Sequence, residues 1–134
     1  MRGLDTNILV RYLTADEPRQ CAAAERIIEQ SLEDEEPLFI PAVVLCELVW
    51  VLASLYAQTK AQIAGHLEQI LGTAQFLIER DSLVRSALRS WRSGKGDFSD
   101  HLIGETARQA GCRDTVTFDR GLRNVAGFSV IGTN

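Results

Sequence analysis

Four acidic residues stand where an α/β protein could use them to hold a cation. Asp5 ends the apolar start of the chain, and Asp119 follows the short run Thr115–Phe118. Asp100 sits in the first turn of a helix with Asp97 one turn before it, and Glu47 lies early in the most apolar segment of the chain. Taken singly, each has an ordinary explanation. Asp5 and Asp97 suit helix N-caps, Asp100 suits the positive end of a helix dipole, and Asp119 suits the first position of a turn. Glu47 is expensive to bury unless it pairs with an arginine, lies on a wet stripe or meets a cation. In a parallel sheet, however, the carboxyl ends of all strands open on one edge, where ligands bind. Carboxylates gathered there repel one another unless a hard divalent ion with oxygen ligands joins them, and Mg²⁺ or Mn²⁺ suits such a site.

The elements that must position these acids follow from periodicity and stop signals. Residues 2–5 read as a strand and Thr6 to about Leu13 as a helix. Asp16-Glu17-Pro18 starts a second helix, since proline suits its first position. Leu38–Ile40 is a short strand. Pro41 to about Ala57 is too long for a strand and apolar on all sides, which predicts a buried helix. Thr59 and Gln62 form a capping box for the next helix, and Phe76–Ile78 is a third strand. Asp81 opens a helix closed by Ser93-Gly94-Lys95-Gly96, and Asp97 opens another with Leu102, Ile103 and Ala107 inward and Gly111 as its stop. Thr115–Phe118 and Phe128–Ile131 complete the strands. The alternation predicts a three-layer α/β/α sandwich with a central parallel sheet of about five strands.

The 134 residues suit a single domain spanning 1–134, large enough for a core without disulfides. Cys21, Cys46 and Cys112 are odd in number and far apart, as expected of free thiols in a reducing cytoplasm. No apolar signal core or membrane span is expected. A net charge of −4 argues against indiscriminate nucleic-acid binding but leaves room for acids at a metal with bases around it. The cations are nearly all arginine, the better fork for phosphate oxygens. Arg85, Arg89 and Arg92 recur at helical spacing as a solvated stripe, whereas Arg120 and Arg123 beside Asp119 are better placed for substrate phosphates. His101 is expected on a helix surface, and Trp50 and Trp91 in the core or an interface.

The ordered set Leu4-Asp5-Thr6-Asn7-Ile8-Leu9, Glu47 in its apolar helix, Asp97-Phe98-Ser99-Asp100 before Leu102-Ile103, and Thr117-Phe118-Asp119 resembles PIN-domain ribonucleases. More narrowly, the chain resembles the VapC-type toxins of bacterial toxin–antitoxin pairs, over its whole length. The resemblance implies a metal-dependent endoribonuclease that uses Mg²⁺, with Mn²⁺ as a substitute, and leaves 5′-phosphate and 3′-hydroxyl ends. It matches Asp5, Glu47, Asp100 and Asp119 to metal-site acids, with Asp97 auxiliary and with Thr6 and Thr117 as supporting hydroxyls. Asp5 and Asp100 would be direct ligands, Glu47 would orient or deprotonate the attacking water, and Asp119 would hold a metal-bound water or a second ion. Many relatives carry a second acid where this chain has Gly121. The implied partners are RNA, a small VapB-like antitoxin and a second copy of the chain in a homodimer.

Two other classes of protein bear on the same residues. A receiver-like phosphorylation domain needs paired acids after the first strand and a late lysine, yet Asp5 stands alone and no lysine follows Lys95. A PIN scaffold that binds RNA or protein with weak catalysis is the alternative that fits the same acids.

Overall fold

The computed structural model describes residues 1–132. In chain order the elements are β1 (Arg2–Gly3), α1 (Thr6–Leu13), α2 (Pro18–Glu33), β2 (Leu38–Ile40), α3 (Ala42–Ser54), α4 (Lys60–Leu71) and β3 (Phe76–Ile78). Then come α5 (Asp81–Ser93), α6 (Phe98–Gln109), β4 (Thr115–Thr117), a 3₁₀ turn (Arg120–Leu122) and β5 (Phe128–Val130). The class is α/β, as expected. The chain divides into two compact units, Met1–Asp81 and a second from Ser82 onward.

In the first unit, β1, β2 and β3 form a parallel ladder in that order, with Gly3 opposite Phe39 and Ile40 opposite Ile78. Leu38 and Ile40 of β2 and Phe76 and Ile78 of β3 are buried, and α1, α3 and α4 add Leu9, Leu45, Leu48, Leu52, Ile63 and Leu67. Each helix start has its own device. Asp5 caps α1, Glu17 caps α2 with Pro18 at its first position, and Thr59 and Gln62 form the expected box on α4. Pro41 has no side-chain donor or acceptor for α3, so Glu79, just past β3, accepts from the Ala42 N–H at 2.9 Å instead.

In the second unit, β4 and β5 pair in parallel, Val116 opposite Ser129. The five expected strands therefore form, but as ladders of three and two rather than as a single five-stranded sheet. One face of α5 buries Leu83, Val84, Ala87, Leu88 and Trp91, and Trp91 meets Phe98 edge-on with centroids 5.7 Å apart. Gly111, at φ +94°, follows α6 and stops it as expected, because that backbone geometry penalises any side chain. Among the described residues no helix is long and apolar enough to cross a membrane.

Candidate active site

Asp5 lies two residues beyond β1, and its Oδ1 accepts the Thr6 N–H at 2.7 Å. This bond orients the carboxylate at the start of α1, on an exposed residue. Thr6 was expected to help through its hydroxyl. Its backbone amide does so, while Oγ1 is buried with no hydrogen-bond partner among the described residues.

α1 follows β1 and α3 follows β2. Because those strands are parallel, both helices begin at the same edge of the ladder. Glu47 occupies the second turn of α3. Of the environments open to it, Glu47 has the wet stripe: Val43, Glu47 and Trp50 are all exposed, with Trp50 63% accessible. Exposed in this way, the carboxylate carries no burial penalty. The helix is one-sided, with Val44, Leu45, Leu48, Val49 and Leu52 inward.

The remaining acids belong to the second unit. Asp97 precedes α6, and Asp100 Oδ2 reaches back to accept the Asp97 N–H at 2.9 Å. An acid three residues past the cap is thus held by the helix start, with its other oxygen uncommitted. Asp119 caps the 3₁₀ turn. Its Oδ1 accepts from Gly121 N at 2.8 Å, and its own N–H donates to Thr117 Oγ1 at 3.0 Å. Thr117 therefore supports the acid through the backbone. Gly121 permits this close grip, since a Cβ there would stand 3.1 Å from Asp119 Oδ1.

Gly96 brings these two places together. A Cβ on it would lie 2.6 Å from Leu122 Cδ2, at the end of the Asp119 turn, and 3.2 Å from Asp100 Oδ2. Its φ of +87° also suits glycine alone. Next to it, His101 is buried rather than on the surface, because Nε2 bonds the Lys95 carbonyl at 2.7 Å. Ile103 faces solvent, contrary to expectation, while Leu102 is inward. Arg120 and Arg123 are both exposed.

None of Asp5, Glu47, Asp97, Asp100 and Asp119 forms an ion pair among the described residues, unlike Glu36 with the N-terminus, Asp16 with Arg11 and Glu105 with Arg108. Nor is any group of three or more His, Cys, Asp or Glu side chains placed to hold a metal among those residues. Each of these carboxylates offers oxygen atoms not paired with arginine, the donor type that a hard divalent ion takes. Two features escaped sequence reasoning. Glu79 shows no local capping pattern because it acts on a distant helix, and the cations Arg108 and Arg113 stand in unrelated sequence contexts.

A parallel α/β chain with acids just past its strands and at its helix starts is the architecture of a known class. The PIN domain family profile matches residues 4–128, and the chain belongs to that family. It is 29% identical over 131 residues to a protein named VapC ribonuclease from Aquifex aeolicus (strain VF5), covering 98% of this chain and 96% of the other.

Proposed function

We propose that this protein is a divalent-metal-dependent endoribonuclease that hydrolyses RNA phosphodiester bonds, acting in the cytoplasm as the toxin of a VapBC-type pair. The observation that carries the reading is the family match over residues 4–128, which spans all five carboxylates and both compact units. The two units serve one PIN domain. The name of the Aquifex relative supports RNA as the substrate.

Asp5 and Asp100 supply the direct ligand oxygens, each from a carboxylate already oriented by a backbone amide. Asp119 adds a further acid, and Asp97 is auxiliary. Mg²⁺ is the ion best suited to this set, with Mn²⁺ as substitute; when bound, it offsets phosphate charge and makes water a better acid. Glu47, free on its exposed stripe, orients or deprotonates the attacking water. Arg120 and Arg123 face substrate phosphates. A VapB-like antitoxin and a second copy of this chain complete the assembly.

The test is incubation of the purified protein with RNA in Mg²⁺, in Mn²⁺ and in chelator, with mapping of the product ends. Asp5→Asn should lower cleavage at least about 100-fold, the scale for losing one group that stabilises transition-state charge, while the melting temperature holds. Cleavage indifferent to chelator, or a fully active Asp5→Asn protein, would defeat the assignment. RNA binding without cleavage under every condition would favour the weakly catalytic scaffold.

A further inference from the structure

The second unit contains a cavity of about 760 Å³ walled by the end of α5, one side of α6, the start of β4 and the loop before β5. Its size falls within the roughly 300–1,000 Å³ of ligand-binding pockets. Four cations line it, Lys95, Arg108, Arg113 and Arg123, against two carboxylates, Glu105 and Asp114. In a chain of net charge −4 this is a local excess of positive charge. The carboxylates are already engaged: Glu105 pairs with Arg108 at 2.7 Å, and Asp114 accepts the Ser129 hydroxyl at 2.6 Å. Lys95, Arg113 and Arg123 form no ion pair among the described residues.

The cavity also has an aromatic wall and a fixed rim. Phe128 is half-buried and its ring lies so close to Gly104 that a Cβ there would stand 2.9 Å from Cε2. α6 can therefore seat the ring flush against its backbone. The bond from His101 to the Lys95 carbonyl anchors the turn that carries the lysine. Arginine forks match phosphate oxygens, and an aromatic face stacks a base without regard to its identity. The rim is continuous with the acids: Lys95 adjoins Gly96, against which Asp100 packs, and Arg123 directly follows Leu122, which packs there too.

We propose that this cavity is a subsite for RNA, taking the phosphate and base of a nucleotide flanking the scissile bond. The inference rests on the nuclease reading and extends it from the acids to how the strand is held. Lys95 and Arg113 bind backbone phosphate, Phe128 stacks the base, and Gly104 positions Phe128.

The experiment uses the full chain and a labelled 12-nucleotide RNA. Binding is followed by fluorescence anisotropy in chelator, and cleavage is measured in Mg²⁺. The double variant Lys95→Ala/Arg113→Ala changes two exposed side chains. It should bind RNA about tenfold or more weakly, and its log Kd against log salt slope should fall by about 1.4, from about 0.7 per single-strand phosphate contact. In cleavage its KM should rise while kcat stays within about twofold. RNA should also shield Cys112, an exposed cavity residue, from a thiol reagent in the parent protein. Adenosine 5′-monophosphate should compete for the same place, since it carries the same phosphate and base.

If the parent cleaves RNA while the double variant keeps its affinity, salt slope and KM, the cavity proposal is overturned and the nuclease reading stands. If adenosine monophosphate protects Cys112 but RNA does not, the ligand is a free nucleotide and the strand proposal is likewise overturned. A parent protein that neither binds nor cleaves RNA defeats the nuclease reading, and the subsite with it.

Discussion

The two strand ladders of this protein are built on opposite principles. In β2 and β3 the buried positions are Leu38, Ile40, Phe76 and Ile78, and the helices around them contribute Leu9, Leu48 and Leu67. Shape there is set by apolar surface removed from water. In β4 and β5 no residue is fully buried, and Val116 is 62% accessible. Form there is set by polar and backbone devices: Asp100 on Asp97, Asp119 on Gly121, His101 on Lys95, and glycine at 96. The difference teaches that the first ladder is shaped by its apolar core, whereas the turns around the second depend on polar bonds and a glycine that few residue types can replace.

Substitutions can sharpen this contrast. Leu48→Ala, in the fully buried seam of α3, should destabilise the protein by about 2–5 kcal/mol in chemical denaturation. Val116→Ala in β4 should stay within about 0.5 kcal/mol, as for exposed positions elsewhere. Equal losses at the two sites would erase the distinction. Gly96→Ala comes next, at about 1–3 kcal/mol, because its backbone geometry and the Leu122 contact both oppose a side chain. Unlike Leu48→Ala, it should also reduce kcat/KM of the protein that remains folded, by displacing Asp100.

The thiols offer a subtler comparison. Burial pushes the Cys46 thiol up from its ordinary range, so little thiolate forms near neutral pH, whereas Cys112 is exposed. A maleimide should label Cys112 first, as read by peptide mass mapping, and faster labelling of Cys46 would contradict its described packing. The smallest effect concerns acid stability. The Tyr56 hydroxyl, donating to Asp16 at 2.6 Å, holds that carboxyl below its ordinary value, with Thr14 and Arg11 assisting. A lowered folded-state value contributes stability that is fully present above the ordinary carboxylate range and lost as pH falls through the folded one. Tyr56→Phe should therefore flatten a shallow acid-side slope of denaturation midpoint against pH between about 5 and 2.

Much of this was legible in the sequence, for local reasons. The capping box at Thr59, the proline opening α2, the stop at Gly111 and the acid three residues past Asp97 each depend on neighbours within one turn. What failed depends on distant partners. Three-residue strands do not announce which ladder they join, so one sheet was expected where two occur. α3 looked buried because its exposed stripe carries Val43 and Trp50 as well as Glu47, and apolar residues hid the helical period. His101 looked like a surface residue because its partner is a main-chain oxygen in the preceding turn. The cationic cavity joins α5, α6 and the loop before β5, which no spacing rule connects.

The hook from Asp100 to the Asp97 amide has one more consequence. An asparagine at position 100 could keep the hook through its carbonyl oxygen while surrendering the negative charge. The start of α6 would then stay capped in Asp100→Asn, so any loss of cleavage in that variant would report the missing charge rather than a lost helix cap.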